Sequence, residues 1–159
     1  MIALVEPLMF MVRNHPHEIV YFNAIAGGPR GALGRFELDY WAHSFAEAGR
    51  WCDRLARHGG LPLIVAGWPR GVTLSELPRH KALQVRPVGA RAHHLEIQLL
   101  RGSRDEVAST LTRRDALHVV RTRDGTPLAM IFPGPRFDDV AARLAPFLGP
   151  REAVLLDVR

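Results

Sequence analysis

Residues 44–67, SFAEAGRWCDRLARHGGLPLIVAG, contain the clearest helix and the clearest buried strand of the chain. The apolar side chains that predict one helix face recur at steps of three and four residues, namely Phe45, Ala48, Cys52 and Leu55. Gly59 and Gly60 end this pattern, because glycine accepts the left-handed backbone that follows a helix. The apolar residues of 61–66 do not alternate, which predicts a strand covered on both faces. A helix followed by such a strand indicates mixed α and β structure.

Two pairs of side chains have the spacing of a capping box, in which each partner satisfies a free backbone amide of the first helical turn. Ser44 and Glu47 form the first pair, so we expect the long helix to begin there. Ser103 and Glu106 form the second, which predicts a short helix over residues 104–111.

Strand patterns continue through the middle of the chain. Residues 82–88 predict a second strand, and a helical turn is expected just before it at Ser75–His80. Residues 95–100 predict a third strand whose inner face carries Leu95, Ile97 and Leu99, because these residues alternate with polar ones.

The last third of the chain predicts a hairpin, a helix and a strand. Residues 117–132 carry Asp124-Gly125 between two β-rich arms, and this dipeptide supplies the positive backbone angles of a tight hairpin turn. Residues 137–148 predict a helix that Pro146 is expected to cut short, and residues 153–158 predict a final strand.

The predicted fold class is therefore α/β or α+β, with a central mixed sheet, flanking helices and a C-terminal hairpin. We place an irregular N-terminal arm at residues 1–43 and a compact domain at residues 44–159.

The composition and charge of the chain limit the classes of partner that it is expected to bind. The chain has 159 residues, of which 47% are hydrophobic and 23% charged, so it can bury a core and is not disordered as a whole. Its net charge is +5, and Lys81 is its only lysine. The arginines are spread through every segment. A GC-rich genome would explain this arginine content, and a surface that faces an anion is the functional alternative. Without a dense basic run or a known motif, we expect no nucleic-acid partner.

Few residues offer catalytic or metal-binding chemistry. Cys52 is the only cysteine, so it forms no disulfide within the chain and is predicted to be a core residue. The histidine pairs, His15 with His17 and His93 with His94, lack the one-turn helical spacing that aims two imidazoles at one ion, so we expect no metal site. No serine lies in a nucleophile elbow, and we assign no catalytic residue and no cofactor.

Two sets of residues in the N-terminal region each allow more than one interpretation. Residues 27–31, GGPRG, lack both the Walker ending and the dinucleotide-binding spacing. They are either a turn-rich connector or a loop that brings Arg30 and Arg35 to an anionic group. Glu37 and Asp39 are an acid and base pair, solvated loop charges, or helix-start residues ahead of Ser44.

Residues 1–12, MIALVEPLMFMV, are apolar except for Glu6. They are too short for a membrane span and lack the basic start of a signal peptide. They would form a short buried element, or the outer end of a membrane helix with Arg13 among the lipid head groups.

Residues 15–41 combine aromatic residues and glycines without a helical or strand period. Their motifs, in order, are His15-Pro16, Tyr21-Phe22-Asn23, Gly27-Gly28 and Asp39-Tyr40-Trp41. This order resembles the stretch that follows the last transmembrane helix in bacterial family 39 glycosyltransferases, membrane enzymes related to protein O-mannosyltransferases. Residues 120–129, VRTRDGTPLA, resemble the C-terminal hairpin of the same family.

The resemblance implies an extracytoplasmic, periplasmic domain attached to a membrane-embedded transferase that uses a polyprenyl-phosphate sugar. The family's catalytic loop and membrane spans have no counterpart in this chain, so we expect the domain to be non-catalytic alone and to shape a substrate entrance or bind the acceptor. The residues expected to contact a lipid-linked sugar or glycan are Tyr21, Asn23, Arg30, Arg35, Asp39, Tyr40 and Trp41. The alternative is a stand-alone binding module for a lipid-linked phosphate, a glycan or a protein.

Overall fold

The computed structural model describes residues 4–68, 82–86 and 91–149. The α-helices within these ranges are α1 Val5–Asn14, α2 Gly28–Ala32, α3 Ser44–Gly59, α4 Arg104–Leu111 and α5 Asp138–Leu144. The strands are β1 Leu63–Trp68, β2 Leu83–Arg86, β3 Leu95–Leu99, β4 His118–Arg121 and β5 Pro127–Pro133. Short 3-10 helices are Glu18–Val20, Ala24–Ala26 and Ala145–Phe147.

The strands form one five-stranded mixed sheet in the order β2-β1-β3-β5-β4. β1 runs parallel to both β2 and β3, with Val65 opposite Val85 on one side and Leu95 on the other. β5 runs antiparallel to both β3 and β4. The predicted α/β class with a central mixed sheet, flanking helices and a hairpin is confirmed.

Each face of the sheet is covered by its own apolar core. On the first face α3 and α5 pack against β-strand side chains, with Phe45, Cys52 and Leu144 fully buried or nearly so. The second core contains Val107 and Leu111 of α4. β5 contributes to both cores, because alternate residues of a strand point to opposite faces of a sheet.

The segment expected to be an irregular arm contributes to the second core. Its backbone is irregular, as predicted, with short helical turns separated by extended residues. Its apolar side chains Val20, Ala32, Leu33 and Leu38 are nevertheless buried with α4 and β5. Burial rather than regular hydrogen bonding therefore holds this segment in place.

The predicted cap of α3 is wrong. The Ser44 hydroxyl is buried without a hydrogen-bond partner, and Glu47 instead lies 3.0 Å from Nε2 of His17. Asp39 supplies the cap, since its carboxylate oxygens accept from the amides of His43 and Ser44, at 2.8 Å each. A short loop brings Asp39 to the helix end, and its negative charge also suits the positive end of the helix dipole.

The other predicted helix boundaries agree well with the structure. The capping box of Ser103 and Glu106 is present at the start of α4. Gly60 ends α3 in the left-handed conformation, with φ of 61°. The last helix ends early, as expected from Pro146: α5 ends at Leu144, and Pro146 lies in the 3-10 turn that follows.

The predicted hairpin is present, but its turn is wider than two residues. The amide of Gly125 donates to the Thr122 carbonyl at 3.0 Å, and the amide of Thr122 donates to the Thr126 carbonyl at 2.9 Å. Three residues therefore form the loop. Only Gly125 takes a positive φ, of 86°, as expected for a type I turn followed by a glycine bulge.

Some predicted elements lie outside the described residues. These are the helical turn at 75–80, the end of the second strand beyond Arg86 and the final strand at 153–158.

Candidate functional site

A groove of about 910 Å³ lies between α1, the chain that follows it and the β4–β5 turn. Its first wall is the side of α1 that carries Val5, Glu6, Met9, Phe10, Arg13 and Asn14. Its second wall is formed by Tyr21, Phe22, Ala24, Gly28 and Pro29. Arg123 and Asp124 of the hairpin turn close one end. Two neighbouring segments and the sequence-distant hairpin turn thus form one surface.

Aromatic contacts set the shape of the groove. The rings of Phe10 and Tyr21 meet edge to face at 5.3 Å between centroids. Phe22 stacks on Phe36 at 5.4 Å, and Phe10 and Phe22 also pack against the second core. The walls are therefore anchored to the body of the protein. Burial, and then the negative charge of Glu6, raise the pKa of Tyr21, so its phenol stays neutral at physiological pH.

Asn14 joins the N-terminal segment to the hairpin turn. This buried side chain donates from Nδ2 to the Phe10 carbonyl at 3.2 Å. Its Oδ1 accepts from the amide of Arg123 at 3.1 Å. Asn14 thus ties the end of α1 to the hairpin turn, and residues of both stretches that carry the family resemblance, 15–41 and 120–129, line the groove.

The charged groups of the groove divide into two kinds. Glu6 Oε1 accepts from the amide of Ala24 at 2.8 Å. Asp124 Oδ1 accepts from the Thr122 hydroxyl and from the amide of Thr126. Both carboxylates thus accept hydrogen bonds from other groups of this chain. The guanidinium groups of Arg13 and Arg123 are exposed and have no hydrogen bond or ion pair to any residue that the structure describes.

The outward face of α1 is apolar. Large hydrophobic side chains along it are exposed, with relative exposures of 73% for Leu4, 62% for Leu8 and 76% for Val12. Met11 is also exposed on this face, whereas Phe10 and Asn14 point into the protein. A surface helix ordinarily places its polar side outward. α1 instead places apolar side chains outward.

The predicted binding residues separate into several places. Tyr21 lines the groove. Tyr40 and Trp41 form an exposed aromatic pair, with centroids 5.2 Å apart, and the Arg101 guanidinium lies 4.9 Å from the Tyr40 ring centroid. Trp41 also borders a separate pocket of about 340 Å³ next to α3. The structure does not bring the aromatic pair and Tyr21 to one pocket.

Two of the predicted binding residues hold the backbone. The Asn23 side chain accepts from the amide of Ala26 at 3.0 Å and caps a 3-10 helix. Asp39 is only 2% exposed, and both of its oxygens cap α3. Arg30 and Arg35 are exposed, and neither lines the groove. Glu37 forms an ion pair with Arg101 at 3.3 Å, so it is not paired with Asp39 as an acid and base.

Most of the groove could not be found by reading the sequence locally. Met9 and Phe10 have no distinguishing motif, Asp124 indicated only a hairpin turn, and Arg13 and Arg123 are far apart in the chain. The one indication is that both resembling stretches contribute residues to this groove, Tyr21 and Phe22 from the first and Arg123 and Asp124 from the second.

The histidines and the cysteine serve the fold. His94 is buried, and its Nδ1 accepts from the amide of Ile64 at 3.1 Å. Burial and the nearby Arg136 charge lower the pKa of His94. Cys52 is fully buried, which raises the pKa of its thiol. Within the described ranges, no three His, Cys, Asp or Glu side chains converge as metal ligands would.

No helix in the described part of the chain has the length and apolarity needed to cross a membrane. Comparisons with known protein families, with curated proteins and with solved structures found no match to this chain.

Proposed function

We propose that this chain is the C-terminal extracytoplasmic domain of a family 39-like membrane glycosyltransferase that uses a polyprenyl-phosphate sugar. In this proposal the domain is non-catalytic alone, lies on the periplasmic face of the membrane and shapes the entrance for lipid-linked sugar or acceptor. The observation that carries the proposal is the outward apolar face of α1, formed by Leu4, Leu8, Met11 and Val12.

The energetics of α1 favour contact with hydrocarbon. Removing a large apolar side chain from water contributes about 1.5–3 kcal/mol when burial is complete. Leu8 and Val12 are more than half exposed in the described structure. A membrane, or the membrane-embedded part of a transferase, would bury both together. The core does not depend on them, so this exposure has no evident role in folding.

The position of the groove suits a substrate entrance. It opens beside α1, and α1 is the element that we place at the membrane surface. Arg13, at the end of α1, would then lie at the level of the lipid head groups, where basic side chains are favoured. Tyr21, on the opposite wall, would lie at the interface, where its amphipathic ring is favoured.

Vesicle binding tests the membrane placement. The 159-residue chain should co-sediment with neutral phosphatidylcholine vesicles, and 1 M salt should not release it, because apolar burial is not screened. Leu8→Gln with Val12→Gln should weaken binding on the order of tenfold or more. Phe147→Gln, a comparable change of an exposed apolar residue after α5, is the matched control and should bind like the parent. Equal binding by all three proteins, or none by the parent, would contradict the placement.

The transferase assignment needs a separate test. Sequencing the genomic DNA upstream of Met1 should reveal a reading frame in phase with this chain that encodes many apolar spans. The longer protein should transfer sugar from a polyprenyl-phosphate donor, and the 159-residue chain alone should not. An in-phase stop codon immediately upstream would refute the assignment.

The alternative is a stand-alone module that binds a lipid-linked phosphate, a glycan or a protein. The observation that favours it is that Phe10 and Phe22 of the groove walls pack against the second core, so the groove keeps its shape without another protein. Full ligand affinity in the isolated chain, together with an upstream stop codon, would select this alternative.

A further inference from the structure

We infer that the pocket of about 340 Å³ at the start of α3 binds a small planar aromatic acid, with the ring of the ligand against the Trp41 indole and its carboxylate on the Arg50 guanidinium. The inference concerns this pocket alone. It does not rest on the proposed function, which depends on α1 and on the groove beside that helix.

The lining of the pocket combines apolar surface with basic side chains. Six residues form it, namely Pro16, Trp41, Ala42, His43, Ala46 and Arg50. Trp41 is 66% exposed, so a flat ring placed against its indole would remove apolar surface from water on both partners. The volume lies near the lower end of the ~300–1,000 Å³ that is typical of ligand pockets. The pocket therefore suits a molecule of one or two rings.

Contacts outside the pocket hold the Trp41 ring in place. The rings of Tyr40 and Trp41 meet edge to face, with 5.2 Å between their centroids. The Arg101 guanidinium lies 4.9 Å from the Tyr40 ring centroid, and it forms an ion pair with Glu37 at 3.3 Å. This series of contacts positions the aromatic pair before a ligand arrives. Binding would therefore require little ordering of side chains.

The backbone at Ala42 sets the direction of the side chains on either side of it. Ala42 has a φ of 55°, a left-handed conformation that is costly for a residue with a Cβ atom. Its methyl group is buried in the first core, whereas Trp41 and His43 are exposed and line the pocket. The Asp39 carboxylate holds this turn by accepting from the His43 amide at 2.8 Å. Backbone strain of this kind is concentrated at ligand sites, which agrees with a ligand here.

Arg50 supplies a positive charge that no carboxylate of the pocket offsets. Its guanidinium is exposed and forms no hydrogen bond or ion pair with any residue that the structure describes. The acids one turn away on α3 have other partners. Glu47 Oε2 lies 3.0 Å from His17 Nε2, and Asp53 Oδ2 accepts from Arg57 at 2.8 Å. Neither acid lines the pocket, so the lining favours an anionic ligand.

An aromatic acid fits these groups better than a neutral sugar does. One guanidinium fork holds both oxygens of a carboxylate, and the single charges match. The His43 imidazole adds an N–H donor. Sugar hydroxyls require acceptors as well as donors, and the described residues of the lining include no carboxylate, amide or hydroxyl side chain. The flat apolar surface and the donors together indicate an aryl carboxylate.

Titration of the nitrogen-15-labelled 159-residue chain with indole-3-acetate, followed by proton–nitrogen correlation spectra, tests the inference. We expect saturable shifts at the Trp41 indole N–H and at the amides of His43 and Ala46, with a Kd of about 1 mM or tighter for a ligand of this size. Indole-3-acetamide has the same ring without the charge, and acetate has the charge without the ring. Each should bind about tenfold more weakly or worse, because one of the two contacts is missing.

Two variants remove the two contacts separately. Arg50→Gln should weaken binding of indole-3-acetate on the order of tenfold, because a charge-assisted contact is lost. Trp41→Ala should weaken it several-fold, because the ligand ring loses its stacking partner. Arg54→Gln is the matched control, since it removes an equal charge from an exposed position one turn further along α3 and outside the pocket. It should bind like the parent, and the urea midpoints of all three variants should stay close to that of the parent.

Several outcomes would overturn the inference. Absence of saturable shifts, or shifts confined to residues outside the pocket, would exclude the site. Unchanged affinity in Arg50→Gln or in Trp41→Ala would do the same. Equal binding of indole-3-acetamide or of acetate would refute the aromatic acid as the ligand class. Arg50→Gln should also bind phosphatidylcholine vesicles like the parent; weaker vesicle binding would mean that the pocket belongs to the membrane-facing surface and is not a separate site.

Discussion

Single side chains explain how the long helix begins. Asp39 lies five residues ahead of Ser44, and its carboxylate accepts from the amides of His43 and Ser44, whereas the Ser44 hydroxyl was expected to accept from the amide of Glu47. A carboxylate reaches two amides at once and adds a favourable interaction with the helix dipole. The cost of this arrangement is that Ser44 Oγ is buried without a partner.

Removing Asp39 should therefore weaken the fold, whereas removing the Ser44 hydroxyl should not. We expect Asp39→Ala to lower the free energy of unfolding by about 1–2 kcal/mol, because two amides at the N-terminus of α3 lose their acceptor. Ser44→Ala should change it by less than about 0.5 kcal/mol in either direction. Urea denaturation followed by circular dichroism measures both. If Ser44→Ala lowered the free energy of unfolding more than Asp39→Ala, Ser44 would be the cap of α3.

His94 should make stability depend on pH. Its pKa is lowered in the folded protein from the ordinary value of 6.5, by burial and by Arg136, although Asp139 acts in the opposite direction. Below pH 6.5 the unfolded chain therefore binds more protons than the folded one, so the stability present above pH 6.5 is lost as the pH falls.

For the parent protein, the urea concentration at the unfolding midpoint should be lower at pH 5.5 than at pH 7.5. His94→Asn places an amide oxygen near the position of Nδ1 and does not titrate, so it should retain the contact with the Ile64 amide and lose part of this pH dependence. An unchanged slope in the variant would assign the pH dependence to other groups.

At the scale of elements, close packing at Gly59 brings α3 against α5. A Cβ built at this position would lie 2.7 Å from Cδ2 of Leu144 and 3.0 Å from Cδ2 of Leu61. Real carbon atoms do not approach so closely, so a side chain here must shift the side chain of Leu144 or Leu61. Gly59 was expected only to end a helix, and its contact with Leu144 could not be foreseen from local sequence.

We expect Gly59→Ala to destabilise the protein by about 1–3 kcal/mol, because overpacking outweighs the higher helix propensity of alanine. In a Leu144→Ala background the same change should become neutral or stabilising, since the main clash is gone and the cavity is partly filled. Urea midpoints of the four proteins give the coupling energy. Equal effects of Gly59→Ala in both backgrounds would exclude the contact.

Elements with strong local patterns were predictable, and the site was not. The apolar face of α3, the continuous strand β1, the capping box at Ser103 and the turn at Gly125 each depend on neighbours within a few residues. The groove depends instead on contacts such as that between Asn14 and Arg123, which no local rule encodes. The reversed orientation of α1 also depends on which of its faces the second core accepts.

For the whole molecule, the two cores should unfold together. β5 supplies Ile131 to the first core and Met130 to the second, so neither core persists when this strand leaves the sheet. The N-terminal segment, which contributes Leu33 to the second core, is consequently part of the same cooperative unit.

Leu33→Ala should lower the free energy of unfolding by about 2–4 kcal/mol, the usual cost of a cavity in a core. The transition seen by far-ultraviolet circular dichroism and the transition seen by tryptophan fluorescence should remain coincident and shift by equal amounts. Two separate transitions would mean that residues before α3 form an arm that melts independently.

The second core also sets an order of events during synthesis. Val20 leaves the ribosome long before Leu128 and Met130, with which it shares this core. At translation rates of about 5–20 residues per second, that interval is roughly 5–20 s. Throughout it, α1 and the apolar residues behind it lack their final partners. During that interval the apolar face of α1, with Leu8, Met11 and Val12, is available to a chaperone or a lipid surface.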